Sequence, residues 1–299
     1  SEMCIRDSNR NVYVTLTSIA MFTKKIIFGT GVTNPYLLNP VMTAQSIATL
    51  SEMAPNRVAL GIGAGDRVTL ESLGVSWRKP LRAIREAVTI FRALLTEGKV
   101  SFDGEIFKVA KAKLNFKPRG KIPIYIGAQA PKMLMLAGEI GDGVLINASH
   151  PKDIELAVQN VKEGAKKVGK DMSSIDVAAY TSFSIDRDEK KAVQAASPVV
   201  AFIVAGSPQS VLERHGIDLG KASEIGEALK KGDFGKAFSS VTRDMIDAFS
   251  VTGTPGQCIE RIEELMKSGV SQVVVGSPIG PNVRKSIDLI AEEVFPHFK

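Results

Sequence analysis

The chain has 299 residues, 44% of them hydrophobic, which is enough for one large α/β barrel or for two ordinary domains. Its formal net charge is +6, with Lys and Arg dispersed among Asp and Glu and no basic stripe interleaved with aromatics; that argues against a nucleic-acid ligand and reads as a solvated surface, with a preference for small polyanions as the functional alternative. Two cysteines far apart (Cys4, Cys258) and three histidines without ligand spacing (His150, His215, His297) exclude a disulfide framework and a zinc site and suit a reducing, cytoplasmic setting, and no apolar run reaches the roughly 18 residues of a membrane span.

The first eight residues, SEMCIRDS, are polar, lack the apolar core of a signal peptide, and read as a non-native head joined to a helical pattern. Ile26, Ile27 and Phe28 then open what reads as a buried strand over 26–33, interrupted by Gly29 and Gly31; glycine there marks a bulge or a close approach to the backbone. Asn39-Pro40 starts a helix to about Met53, and RVALGIGAG (57–65) reads as the next strand. From Pro80, Leu81, Ile84, Val88, Phe91 and Leu95 step by three and four along one helix face. VSFDGEIFKV (100–109) signals a hairpin turning at Asp103-Gly104. IPIYIGAQ (122–129) is a strand leading to a helix from Pro131, and GVLINAS (143–149) leads to another from Pro151, with Ile154, Val158, Val161, Ala165 and Val168 on its apolar face. A strand over 175–185 precedes a long helical excursion, 187–250. Thr254 and Gln257 form a capping box around Pro255, with Gly269 at the helix end. QVVVGSPIG (272–280) is the last strand, and Pro281 opens the final helix.

The strands are continuous apolar runs, as in a parallel sheet covered on both faces. Repeated strand–Pro–helix units point to a (β/α)8 barrel, with a doubly wound open sheet as the alternative; only six core strands are visible. In a barrel the ligand lies at the C-terminal strand ends, which here are small, polar and glycine-rich. They hold no nucleophile triad and no metal-type carboxylate cluster, so the chemistry suits a cofactor that carries the reaction. Asp66 is the carboxylate among them, either an acid for the reaction or a loop or helix-capping group. The G-x-G-x-G of LGIGAGD lacks the spacing and following helix of a dinucleotide fingerprint; close packing of Gly61 and Gly63 inside a barrel is the plain reading. IGAQAPKML, a strand end running into a Pro-started helix, is either an ordinary turn or a phosphate site on free N–H groups.

The stretches RNVYVTLTSIA, GTGVTNPY, LGIGAGD, LNFKP, IPIYIGAQAPKMLMLAGEIGDGVLINASHP and AAYTSF resemble the coenzyme F420-dependent methylenetetrahydromethanopterin reductases of archaeal methanogenesis, members of the bacterial luciferase-like superfamily of TIM (β/α)8 barrels. The resemblance runs from Asn9 to the C-terminus and implies one barrel domain over 9–299 with a helical insertion around 187–250. It implies hydride transfer from reduced F420 to a tetrahydromethanopterin-type substrate; another F420- or FMN-dependent luciferase-like enzyme, or a barrel that only binds cofactor, is the alternative. It implies a bulge with a non-prolyl cis peptide at Gly31–Val32 backing the deazaflavin. The cofactor would be held by Gly31, Val32, Thr33, Asn34, Gly63, Ala64, Gly127, Ala128, Gln129, Ala130 and Asn147, with no metal; among the residues present Asp66 is the candidate catalytic acid, and the missing strands could supply another. Members of that family begin with a strand, a helix and a second strand, so the barrel is expected to lack its first two strands where SEMCIRDS stands. A homo-oligomer without nucleic-acid or membrane partners is expected.

Overall fold

The structure, a computed structural model, describes residues 10–298; the expectation about the head, residues 1–8, lies outside them. In chain order the elements are α1 (Val12–Phe22), β1 (Phe28–Thr33), α2 (Pro40–Met53), β2 (Val58–Ile62), α3 (Arg67–Ser72), α4 (Pro80–Arg92), β3 (Lys99–Asp103), β4 (Lys108–Lys113), β5 (Ile124–Ala128), α5 (Pro131–Ile140), β6 (Gly143–Asn147) and α6 (Pro151–Lys167). There follow β7 (Asp176–Ile185), α7 (Glu189–Gly206), α8 (Gln209–Arg214), α9 (Leu219–Lys230), α10 (Phe234–Ser239), α11 (Arg243–Phe249), β8 (Val251–Gly253), α12 (Pro255–Lys267), β9 (Gln272–Ile279) and α13 (Val283–Leu289). The described residues form two compact units. The first runs to Leu145 and resumes over Gln159–Asp176; the second holds Ile146–Val158 and the chain from Val177 onward.

In the first unit β1, β2 and β5 pair in parallel in that order. Leu60, Ile62, Ile124 and Ile126 are fully buried or nearly so, as strands covered on both faces require. β1 begins later than its apolar run suggested. Ile26 and Ile27 are 59% and 69% exposed and precede the strand. The Arg57 guanidinium donates to the carbonyls of Ala20, Thr23 and Ile26 and lies over the Phe28 ring, so this connection is held by its backbone and not by burial of its isoleucines. α2 starts where Asn39 accepts the Val41 N–H, with Pro40 in the first turn, and buries Ala44, Ile47, Ala48 and Ser51 at helical spacing.

β3 and β4 form the expected antiparallel hairpin, with residues 104–107 as its loop. The turn is wider than Asp103-Gly104 alone because a buried carboxylate organises it. Glu86 of α4, 4% exposed, accepts the N–H groups of Glu105, Ile106 and Phe107.

In the second unit β7 pairs in parallel with β8 and with β9. β8 is a strand that the apolar runs did not reveal, since three residues after a helix carry no period of their own. The helical excursion is α7–α11, packed around Val200, Val204, Ile225, Ile246 and Phe249. Asp188, Asp218 and Asp233 cap three of its helices. Gln257 accepts the Thr254 N–H at the start of α12, as the capping box predicts, and Cys258 is buried in the core. The last helix begins at Val283, two residues after Pro281, because Asn282 is the residue that caps it through the Lys285 N–H. Val168, expected on the apolar face of α6, is exposed, since the helix ends at Lys167.

Candidate functional site

The site grows from an irregularity in β1. Thr30 pairs with Leu60 and Thr33 with Ile62, so two residues of β1, Gly31 and Val32, stand where β2 supplies one, Gly61. The Gly31–Val32 peptide is cis, as the family resemblance implied. A second cis peptide, Ser277–Pro278, lies in β9.

What approaches these glycines is the chain itself. A Cβ on Gly61 would lie 2.1 Å from the Thr30 carbonyl oxygen, and one on Gly63 would lie 2.6 Å from Val32 Cγ2. A Cβ on Gly127 would lie 3.1 Å from Val32 Cγ1. The G-x-G at the end of β2 is therefore a packing device, and Val32 rests on a glycine just past β2 and on one from β5, the strand beyond it. Among the described residues, and apart from its chain neighbours, nothing lies within 4 Å of a Cβ built on Gly31.

Thr33 and Asn34 finish the strand. The Thr33 carbonyl accepts the Gly63 N–H at 2.9 Å, and its buried hydroxyl is 3.1 Å from the Tyr13 hydroxyl of α1. Tyr13 was quoted in the resemblance but given no role by sequence reasoning; nothing local links α1 to the end of β1. Asn34 is 2% exposed, and its Oδ1 accepts the N–H groups of Tyr36 and Leu37. Its Nδ2 is buried without a hydrogen-bond partner among the described residues. Gly65, at φ +68, leaves room for that amide; a Cβ there would lie 2.3 Å from Nδ2. The loop after β2 is further pinned by Trp77, whose indole N–H donates to the Ala64 carbonyl at 3.0 Å.

Asp66 follows directly. It is exposed and is the N-cap of α3, accepting the Thr69 N–H at 2.8 Å. The capping role considered from sequence is thus present in the structure. At the end of β5, Ala128 is buried while Gln129 and Ala130 are exposed. α5 starts at Pro131 without a side-chain cap, which leaves the positive end of its dipole toward solvent. The first unit therefore brings together Gly31 to Asn34, Gly63, Gly65 and Gly127, with Asp66 following Gly65 in the chain. Asn147 is exposed at the end of β6 and belongs to the second unit.

The second unit holds a cluster that the spacing of histidines concealed. Asp153, in the first turn of α6, receives Arg214 Nη1 at 2.5 Å and His215 Nε2 at 2.8 Å. The rings of His215 and His150 meet edge-on, with centroids 4.7 Å apart. Burial, then the charges of Arg261 and His215, push His150 down to about 4, against the opposing pull of Asp153. Among the described residues no group of three or more His, Cys, Asp or Glu could hold a metal ion, and no helix is long and apolar enough to cross a membrane.

Known proteins match this chain along nearly its whole length. The luciferase-like monooxygenase family model matches residues 3–272. The 5,10-methylenetetrahydromethanopterin reductase of Archaeoglobus fulgidus is 57% identical over 98% of this chain and 89% of its own. The solved coenzyme F420-dependent tetrahydromethanopterin reductase from Methanopyrus kandleri superposes with a TM-score of 0.93 at 48% identity, over 97% of this chain and 88% of that one. An F420-dependent secondary alcohol dehydrogenase in complex with an F420–acetone adduct reaches a TM-score of 0.80 at 26% identity, over 96% and 84%. The parallel α/β fold is thus the TIM-barrel type of these proteins, and the chain belongs to the luciferase-like monooxygenase family, in the group that holds the 5,10-methylenetetrahydromethanopterin reductases.

Proposed function

We propose that the chain is a coenzyme F420-dependent oxidoreductase that reduces methylenetetrahydromethanopterin to methyltetrahydromethanopterin, in a reversible reaction of archaeal one-carbon metabolism. The observation that carries this is the identity of 57% with the Archaeoglobus fulgidus reductase over 98% of this chain. Reduced F420, when bound, supplies the hydride.

The residues present suit a flat heteroaromatic ring with an anionic tail. Val32 offers a part-exposed apolar side chain, and Asn34 Nδ2 is a buried donor without a partner among the described residues. The uncapped start of α5, after Gly127 to Ala130, suits a phosphate. The protein's own contribution is positioning and exclusion of water at this floor. Opening the pterin's methylene bridge needs a proton, and Asp66 is the proposed donor; its bond from Thr69 N–H fixes the direction of an exposed carboxyl. The same reading carries a pterin partner, a cytosolic location and a homo-oligomer.

The test is titration of the purified protein with F420 and, separately, FMN, followed by pterin-dependent oxidation of reduced F420. Binding of F420 with turnover that requires the methylene-pterin is the expected result. F420 binding without pterin-dependent turnover would shift the reading to another F420 dehydrogenase, and FMN binding alone would sink it. Light scattering tests the oligomer; a monomer at assay concentration removes it.

A further inference from the structure

We infer that Gly63 and Gly127 are positioning residues that act on the cofactor ring through Val32, by setting how deep that side chain lies. This rests on the F420 reading above and assigns the two glycines a role other than direct contact with the ligand.

The geometry is asymmetric and specific. Gly63 leaves a slot that Val32 Cγ2 enters, 2.6 Å from the position of a Cβ. Gly127 leaves a shallower one under Cγ1, at 3.1 Å. Gly63, just past the end of β2, and Gly127 of β5 offer no side chain, so one isopropyl group covers both positions. Valine is stiff at χ1 and carries two methyls and one hydrogen on Cβ, so only the rotamer that turns the hydrogen into the slot vacates it, and that rotamer swings a methyl elsewhere. A Cβ at position 63 therefore either lifts Val32 away from the sheet or moves one of its methyls, and both change the apolar surface that Val32 presents. Val32 itself is part-exposed, and among the described residues nothing beyond its chain neighbours lies within 4 Å of a Cβ built on Gly31. The depth of Val32 thus sets the room left for a ring of aromatic thickness. Gly61 serves as an internal contrast, because what fills its Cβ position is the Thr30 backbone at 2.1 Å and not Val32.

The experiment is a double-mutant cycle read by F420 affinity, with thermal melting of each variant as a control on folding. Gly63→Ala is expected to weaken F420 binding by at least about tenfold and Gly127→Ala by about two- to fivefold, in the order of their clearances. Val32→Ala removes the γ-methyl groups, so it should restore Gly63→Ala and Gly127→Ala to within about threefold of Val32→Ala alone; independent sites would instead add. If Gly63→Ala does not fold, the Gly127 pair, where the neighbour need give only slightly, decides. Additive losses in folded variants, or undiminished affinity in Gly127→Ala together with Gly63→Ala, would overturn the inference while leaving the cofactor reading intact. Failure of the unsubstituted protein to bind F420 would overturn both.

Discussion

Gly138 of α5 and Gly164 of α6 each occupy a point where the other helix's backbone passes. A Cβ on Gly138 would lie 2.0 Å from the Val161 carbonyl oxygen, and one on Gly164 would lie 1.9 Å from the Met135 carbonyl oxygen. The two helices therefore cross in backbone contact, and the axis of α5, whose start is the proposed phosphate locus, is fixed by main chain. Gly164→Ala must force the helices apart. Overpacking typically costs about 1–3 kcal/mol, and a clash with backbone belongs at the upper end. Urea unfolding of the variant measures this; a loss below about 0.5 kcal/mol would show that the crossing yields easily.

Asp66 separates two roles cleanly. Asparagine caps helices about as well as aspartate, so Asp66→Asn should keep the Thr69 bond and leave the melting temperature nearly unchanged. As an acid in the reaction it should lose about 10²–10⁴-fold in turnover. A loss under about threefold, with F420 affinity intact, would leave Asp66 as a helix cap and nothing more.

Glu86 concentrates three backbone donors on one buried carboxylate. Glu86→Ala leaves those N–H groups without their acceptor and should cost about 2–4 kcal/mol. Hydrogen exchange localises the effect: the amides of Glu105, Ile106 and Phe107 should exchange much faster than in the parent protein. Unchanged protection at these three would mean that the hairpin loop is held by other contacts.

His150 makes stability depend on pH. Its folded value is near 4 while an unfolded histidine titrates near 6.5, so the fold prefers the neutral ring. Its contribution is complete above pH 6.5 and falls as pH drops toward 4, because only the unfolded chain then takes up the proton; below 4 it is flat. Arg261, His215, Asp153 and Lys152 are the charged or titratable groups around it. The ring is half-buried, and solvent screening reduces the loss to about 1–2 kcal/mol. His150→Gln should flatten the stability profile across that window, and a profile identical to the parent's would exclude His150 as its source.

Elements whose signal is local were legible in the sequence. Asn39-Pro40 and the Thr254–Gln257 pair mark helix starts because the cap and the capped N–H lie within one turn. The bulge came through the family resemblance and the close packing at Gly63 was legible, but the partner was not: Val32 meets Gly63 and Gly127 as a neighbour only in space. Ile26 and Ile27 misled because an apolar run cannot show that Arg57 holds its carbonyl side and leaves its side chains outside. The meeting of His150 with His215, and of Gly138 with α6, depends on helix packing that no window of adjacent residues contains.

Cys258 gives the second unit a built-in clock. Its thiol is fully buried, and burial pushes it up to about 12. Only the thiolate reacts with alkylating reagents, so in the closed protein this sulfur is silent. With Cys4 replaced by serine it is the one remaining thiol of the chain. Each labelling event then records one opening of the α12 core, and the labelling rate counts how often that part of the enzyme comes apart while the rest of the population remains folded.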